Sequence, residues 1–407
     1  MRPDSIPWRK RACGTLCVVA VLLQACDTGQ KQKAEAQSSV VESHAGSADA
    51  PLSWTVRPVR ELFRDPTRQE PFSTVTRGTV SADAQGRLYA LDDAAGDIVV
   101  MDTLGTISAR LGRRGAGPGE FRAVSGIGVT SEGALVVFDV AKQALVRFAP
   151  DGSILPETRV RGVHQGGPIR VRHGRALLAL VSLNRQRRQV ERSLVEVDTG
   201  GSSLVLYTTS EPLPKGRRFA GCRVPVILPA LFTPTLRWTS NDRQVAWSAD
   251  AEYKVEVRQP LGSMTVKLDV PPVPVTRAIA LDEIEASGPR TKLLSGCRIS
   301  SEEQLDAGGN AEVVPAIADL ALTPAGELWV WRRVLGDEKV GTIDVFDTGG
   351  RYVGAIIQPT AFPAVFVTED QFLAVDTDDD GVSHLRLFSL ERTAEPAAEG
   401  RSASGEP

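Results

Sequence analysis

The run Asp376-Thr-Asp-Asp-Asp-Gly381 places carboxylates at the first, third and fifth positions of a loop and glycine at the sixth. Hard oxygens at that spacing can wrap a calcium ion, and glycine permits the sharp turn between them. Asp376, Asp378 and Asp380 are therefore the candidate metal ligands, and calcium is the one cofactor the sequence suggests. The pattern is only half complete, because His384 stands at the ninth position and Leu387 at the twelfth, where a calcium loop carries Glu. A polar hairpin turn has the same composition. Gly112-Arg-Arg-Gly-Ala-Gly-Pro-Gly119 has the glycines of a phosphate cradle but not the Gly-Lys-Ser/Thr ending of a P-loop. Asn184-Arg-Gln-Arg-Arg-Gln-Val-Glu-Arg192 can face an anionic surface or form a solvated hairpin tip. The histidines, at 44, 164, 173 and 384, show no metal-ligand spacing. Trp329 and Trp331 fall on one face of a strand, which fits core packing. No catalytic set emerges.

The N-terminus addresses the chain to the cell envelope. Arg2, Arg9, Lys10 and Arg11 precede an apolar stretch, Ala12 to Leu23, too short to span a bilayer comfortably. Leu23-Gln24-Ala25-Cys26 follows, and it resembles the lipobox of bacterial lipoproteins. That resemblance implies a signal peptide over 1–25 and a lipid-bearing Cys26 as the mature N-terminus. Asp27 then resembles an inner-membrane retention signal, a code that differs between bacteria, so the choice of membrane stays open. Residues 1–25 carry four basic residues and one acidic one, so their removal takes the formal charge from −3 to −6. An acidic, mixed-charge chain argues against nucleic acid as partner. Cys222 and Cys297 remain, both in Gly-Cys-Arg-aliphatic contexts. In an oxidising compartment they either form one disulfide or stay as two buried thiols.

A 47-residue echo reveals the elements that must carry these groups. Gly86-Arg-Leu-Tyr-Ala-Leu-Asp92 returns as Gly133-Ala-Leu-Val-Val-Phe-Asp139, and Met101 to Gly105 returns as Phe148 to Gly152. Asp92 and Asp139 occupy equivalent places, so they read as turn residues of a repeat rather than a catalytic pair. Self-similarity at this period marks a propeller or solenoid. Six units of short alternating strands with glycine turns follow between 78 and 390, an all-β, six-bladed β-propeller. Trp54-Thr-Val-Arg-Pro-Val59 is an orphan strand, expected to complete the last blade and close the ring over 52–390. Residues 26–51 read as a flexible tether and 391–407 as a disordered tail. Insertions at 211–235 and 271–316 break the period, the second with helical spacing over Thr276–Ala286. A disulfide between Cys222 and Cys297 would tie them together.

At Gly115-Ala-Gly117-Pro118-Gly119-Glu120-Phe121, followed by Gly126-Ile-Gly-Val and Gly133 to Asp139, the chain resembles NHL-repeat proteins. It is most similar to the six-bladed β-propeller lipoproteins of bacteria. The glycines of this blade-crossing motif suit a tight passage from an outer strand to the next inner strand. The resemblance implies a lipid-anchored extracytoplasmic module that binds a protein or polymer across its loops. The rival is a calcium-dependent hydrolase or lyase working in the central channel, but the Glu, Asn and Asp set of gluconolactonase-like propellers does not align here.

Overall fold

The computed structural model describes residues 37–43, 50–62, 75–164, 166–213, 215–220, 222, 224–286, 299–335, 341–377 and 383–393. Two strands precede the repeats, β1 (Gln37–Ser43) and β2 (Trp54–Leu62). Blade one holds β3 (Val80–Ala82), β4 (Leu88–Asp92), β5 (Asp97–Met101) and β6 (Ile107–Leu111). Blade two holds β7 (Val124–Val129), β8 (Leu135–Asp139), β9 (Ala144–Phe148) and β10 (Ile154–Arg159). Blade three has a split inner strand, β11 (Val163–His164) and β12 (Arg170–Arg172), then β13 (Arg175–Asn184), β14 (Gln189–Val197) and β15 (Ser203–Pro212). Blade four holds β16 (Arg237–Ser240), β17 (Val245–Ser248), β18 (Lys254–Gln259) and β19 (Gly262–Leu268). Helices α1 (Arg277–Ala286) and α2 (Ser301–Gly308) lie in the insertion that follows. Blade five holds β20 (Ile317–Leu322), β21 (Leu328–Arg332), β22 (Thr342–Phe346) and β23 (Tyr352–Ile357). Blade six holds β24 (Val365–Phe366), β25 (Gln371–Thr377) and β26 (Ser383–Arg392).

These are six antiparallel sheets, and the ring closes with β2 as the outermost strand of blade six. Strand β2 pairs antiparallel with β26 from Trp54 opposite Arg392 to Leu62 opposite Leu385. Its register slips between Pro58 and Arg60. An edge strand tolerates this proline because its missing amide faces away from the ladder.

The core is divided among the blade interfaces, and period-2 alternation does the dividing. In β4, Leu88 and Ala90 pack toward blade six, whereas Tyr89 and Leu91 pack toward blade two. All five residues of β4 are buried, as are all five of β8, because each central strand is covered on both faces. The same division holds at every interface around the ring. The glycine turns recur with it: Gly86 and Gly133 adopt φ of 79° and 95°, the left-handed region that glycine takes at little cost.

Two elements depart from the sequence reading. Gln37–Ser43, inside the stretch expected to be a tether, runs parallel to β19 and adds a fifth strand to blade four. It covers what would otherwise be an open edge. Ser300 and Glu303 form a capping box that starts α2, with Glu303 N–H donating to Ser300 Oγ at 3.2 Å. Ser300-Ser-Glu-Glu303 carries that signal openly in the sequence.

Candidate functional site: the central channel and its cap

Six inner strands surround the axis, and two cavities lie along it. The first, about 540 Å³, sits where the inner strands end and is lined from every blade, by Asp83, Ser131, Val171, Asn241, Pro324 and Thr368 among others. The second, about 420 Å³, sits where the inner strands begin. Arg170, Thr239 and Ala364 border both.

The second cavity is strongly basic. Arg77 reaches it from the turn before β3, Arg170 from β12 and Arg237 from the first position of β16. Arg77 donates to the Pro363 carbonyl at 2.6 Å, pairs with Asp319 of β20 and lies 5.0 Å from the centre of the Phe362 ring. Its Nε is buried with no acceptor. Arg170 donates to the Ala364 carbonyl at 2.7 Å. The Arg237 side chain makes no hydrogen bond or ion pair among the described residues. Burial, then repulsion from Arg170 and Arg237, lowers the Arg77 pKa to about 9. Burial lowers Arg170 to about 10. Burial and the nearby Arg333 lower Arg237. All three remain cations at neutral pH, held close together in a partly desolvated space.

The two insertions form a cap beside this mouth. Thr235, the last residue of the first, lines the cavity together with Leu236 beyond it. Leu231 exchanges backbone hydrogen bonds with Gly309 and Ala311 of the second, at 2.9 Å each. Leu231, Val275 and Leu281 pack against Ala280, Ile284 and Leu305 of the two helices. Ile284 and Leu281 fall on the apolar face expected for α1, with Ala280 taking the place of Ile279. Arg333, which follows β21, stacks over Phe232 at 5.1 Å and donates to Glu283 of α1 at 2.7 Å, tying the cap to blade five. Cys222 is disulfide-bonded and packs near Val226 and Ile299. Its expected partner, Cys297, lies outside the described residues, as does the lipidation site Cys26.

Asp376 accepts from Arg386 at 2.6 Å, and Asp378 and Asp380 lie outside the described residues. No group of three metal-binding side chains occurs among the described residues. The blade-crossing motif is a compact turn between β6 and β7. The Gly115 amide donates to the Phe121 carbonyl at 2.8 Å, and the Gly117 amide donates to Glu120 Oε2 at 2.7 Å. That amide and Arg113 hold the Glu120 carboxyl below its usual range. Gly119, which follows Pro118, has φ of 70°. Phe121 is buried, edge-on to Phe148 at 6.0 Å. Asp139 takes the amides of Arg122, Ala123, Ala141 and Lys142, a turn role. Asp92 accepts from the Ala95 amide and Arg110. Asn184 to Gln189 forms the tip of the β13–β14 hairpin, while Arg192, farther along β14, lines the second cavity and pairs with Glu211 at 2.9 Å.

His164 is a core histidine. It is 2% exposed, lies 5.5 Å from Phe138 and shares a 3.0 Å hydrogen bond with Ser125 Oγ through Nδ1. Burial lowers its pKa from 6.5 to about 4. The unfolded chain therefore takes up a proton near pH 6.5 that the folded chain refuses until about pH 4. Stability is present above 6.5 and falls as pH drops across that window, by about 3 kcal/mol. Urea unfolding at pH 7 and pH 4 should show His164→Gln losing about that much less than the native chain; equal losses would overturn this account.

A family model with the description 6-bladed beta-propeller matches residues 74–164. No curated protein matches the chain. Among solved structures, an exported-protein candidate of Bacteroides fragilis is 12% identical, with 88% of this chain and 100% of that one covered, at a TM-score of 0.46. A member of the duf4221 family from Bacteroides vulgatus is 10% identical, with 85% and 98% covered, at 0.45. The PQQ-bound aldose sugar dehydrogenase of Streptomyces coelicolor is 12% identical, with 84% and 99% covered, at 0.41. No helix among the described residues is long and apolar enough to cross a membrane.

Proposed function

We propose that this chain is a lipid-anchored, extracytoplasmic propeller of the NHL-repeat type. In this reading it binds a protein or polymer partner at the capped mouth of its channel. The observation that carries the reading is the charge of that mouth. Arginines from three blades converge there, and the carboxylate among them, Asp319, is engaged by Arg77. Such a mouth supplies fixed positive charge for holding a ligand rather than an acid–base pair or a calcium ligand set. This favours binding over a calcium-dependent hydrolase. The cap supports it, because long insertions on a rigid ring are where recognition residues concentrate. Cys26 supplies the anchor and a Cys222–Cys297 bridge braces the cap.

The test is capture from the native envelope with the full lipidated chain. A variant with 271–316 replaced by a short linker, and Cys222→Ser to leave no stray thiol, should melt within a few degrees of the native chain yet lose the captured partner. Identical capture by both chains would overturn the reading, as would a calcium-dependent hydrolase activity in the native chain. Cys26→Ala should move the protein from the membrane fraction to the soluble one.

A further inference from the structure

The basic mouth has a charge count. Arg77, Arg170 and Arg237 bring three cations to one cavity, and Asp319 brings one anion. A fourth lining arginine, Arg192, is balanced by Glu211, and the nearby Arg333 by Glu283. Two positive charges are left over. Buried charge without a counter-charge is unfavourable, and depressed arginine pKa values are the expected sign of it. Donors stay unused in the side chains that line the cavity: the Arg237 side chain has no hydrogen-bond or ion-pair partner among the described residues, and Arg77 Nε is buried without an acceptor. The three arginines approach from blades one, three and four. Planar forks arriving from several directions suit a tetrahedral oxyanion better than a flat carboxylate, which takes its forks in one plane.

We propose that the arginine mouth of the central channel binds a tetrahedral dianion, a phosphate or sulfate group, free or carried on a larger ligand. This deepens the binding reading above and rests on it only in placing the ligand in the channel. The dianion supplies the two missing negative charges and takes Arg237 as its principal contact. Arg77 and Arg170 are already held by the Pro363 and Ala364 carbonyls, so their heads are set before the ligand arrives. Such preorganisation keeps the ordering cost of binding low.

The experiment is calorimetric titration of the full chain in detergent with sodium phosphate, sodium sulfate and phenyl phosphate. Sodium acetate and chloride at matched ionic strength are the controls. Saturable binding of phosphate or sulfate is expected, with acetate and chloride silent. Phenyl phosphate binding as well as phosphate points to a phosphate ester as the natural group, and binding of the free ion alone points to the ion. Arg237→Ala should weaken phosphate affinity at least tenfold and raise the melting temperature in chloride buffer, because it removes a like charge. A merely structural Arg237 would lower it. Asp319→Asn, which adds to the positive excess, should tighten phosphate binding. Acetate binding as well as phosphate, or unchanged affinity in Arg237→Ala, overturns the proposal. No phosphate binding with partner capture intact overturns the dianion site alone; phosphate binding without capture overturns the partner reading alone.

Discussion

Asp344→Ala should cost about 3–5 kcal/mol of folding stability, the usual loss when one partner of a buried ion pair is removed. Asp344 is fully buried in β22, at the seam between blades four and five. Arg332 grips it with two hydrogen bonds of 2.6 Å, and the Tyr253 hydroxyl of blade four donates at 2.7 Å. Tyr352 adds a longer contact at 3.3 Å. Burial, then the carboxylate itself, raises the Tyr253 pKa far above 10, so its hydroxyl stays a donor. The alanine variant strips this set of its common acceptor in a dry site and leaves a cavity beside Phe346. Asp344→Asn keeps one acceptor oxygen and should lose about half as much. Urea unfolding at neutral pH measures both. A loss under about 1 kcal/mol for the alanine variant would show that the seam relaxes around the missing group.

The blades were legible because their signals are local. Leu88 to Asp92 and Leu135 to Asp139 alternate cleanly, and the turns before them require glycine at positive φ. Both features repeat at one spacing, so two clear units were enough to extend the pattern around the ring. The basic mouth was not legible. Arg77, Arg170 and Arg237 stand on three different blades, and each alone looks like an ordinary polar residue beside an inner strand. Only closure of the ring brings them to one cavity. The available signal was their shared place near the start of the inner strand, as with Ile169-Arg170 and Arg237-Trp238. Strand β1 stayed hidden for another reason. Gln37-Ser-Ser-Val-Val-Glu-Ser43 has little apolar character, and Val41 is the residue that packs on the core. Its order comes from the open edge of β19, which no local pattern announces.

Deleting residues 52–62 should destabilise the whole ring rather than one blade. Strand β2 is held by a ladder to β26 and by two apolar anchors, Val56 at 7% exposure and Leu62 at 2%. Val56 packs into the interface of blades five and six, and Leu62 into that of blades six and one. Trp54 adds contact with Trp329, centre to centre at 6.3 Å, while Arg392 stacks over it at 4.5 Å. Loss of the two anchors alone removes about 3–6 kcal/mol. Deletion also exposes the backbone edge of β26, which invites pairing with another chain. Strand β2 packs into both interfaces of blade six, so its loss weakens that blade's contact with both neighbours at once. A gentler variant separates the anchors from the ladder: Val56→Asp with Leu62→Asp keeps the backbone pairing and should still lower the melting temperature by on the order of 10 °C. Thermal melts followed by tryptophan fluorescence report the event, because Trp329, which both variants keep, sits beside the closing strand. One transition shifted downward supports closure by β2; an unshifted transition in the deletion variant would mean that the remaining strands hold the ring without it.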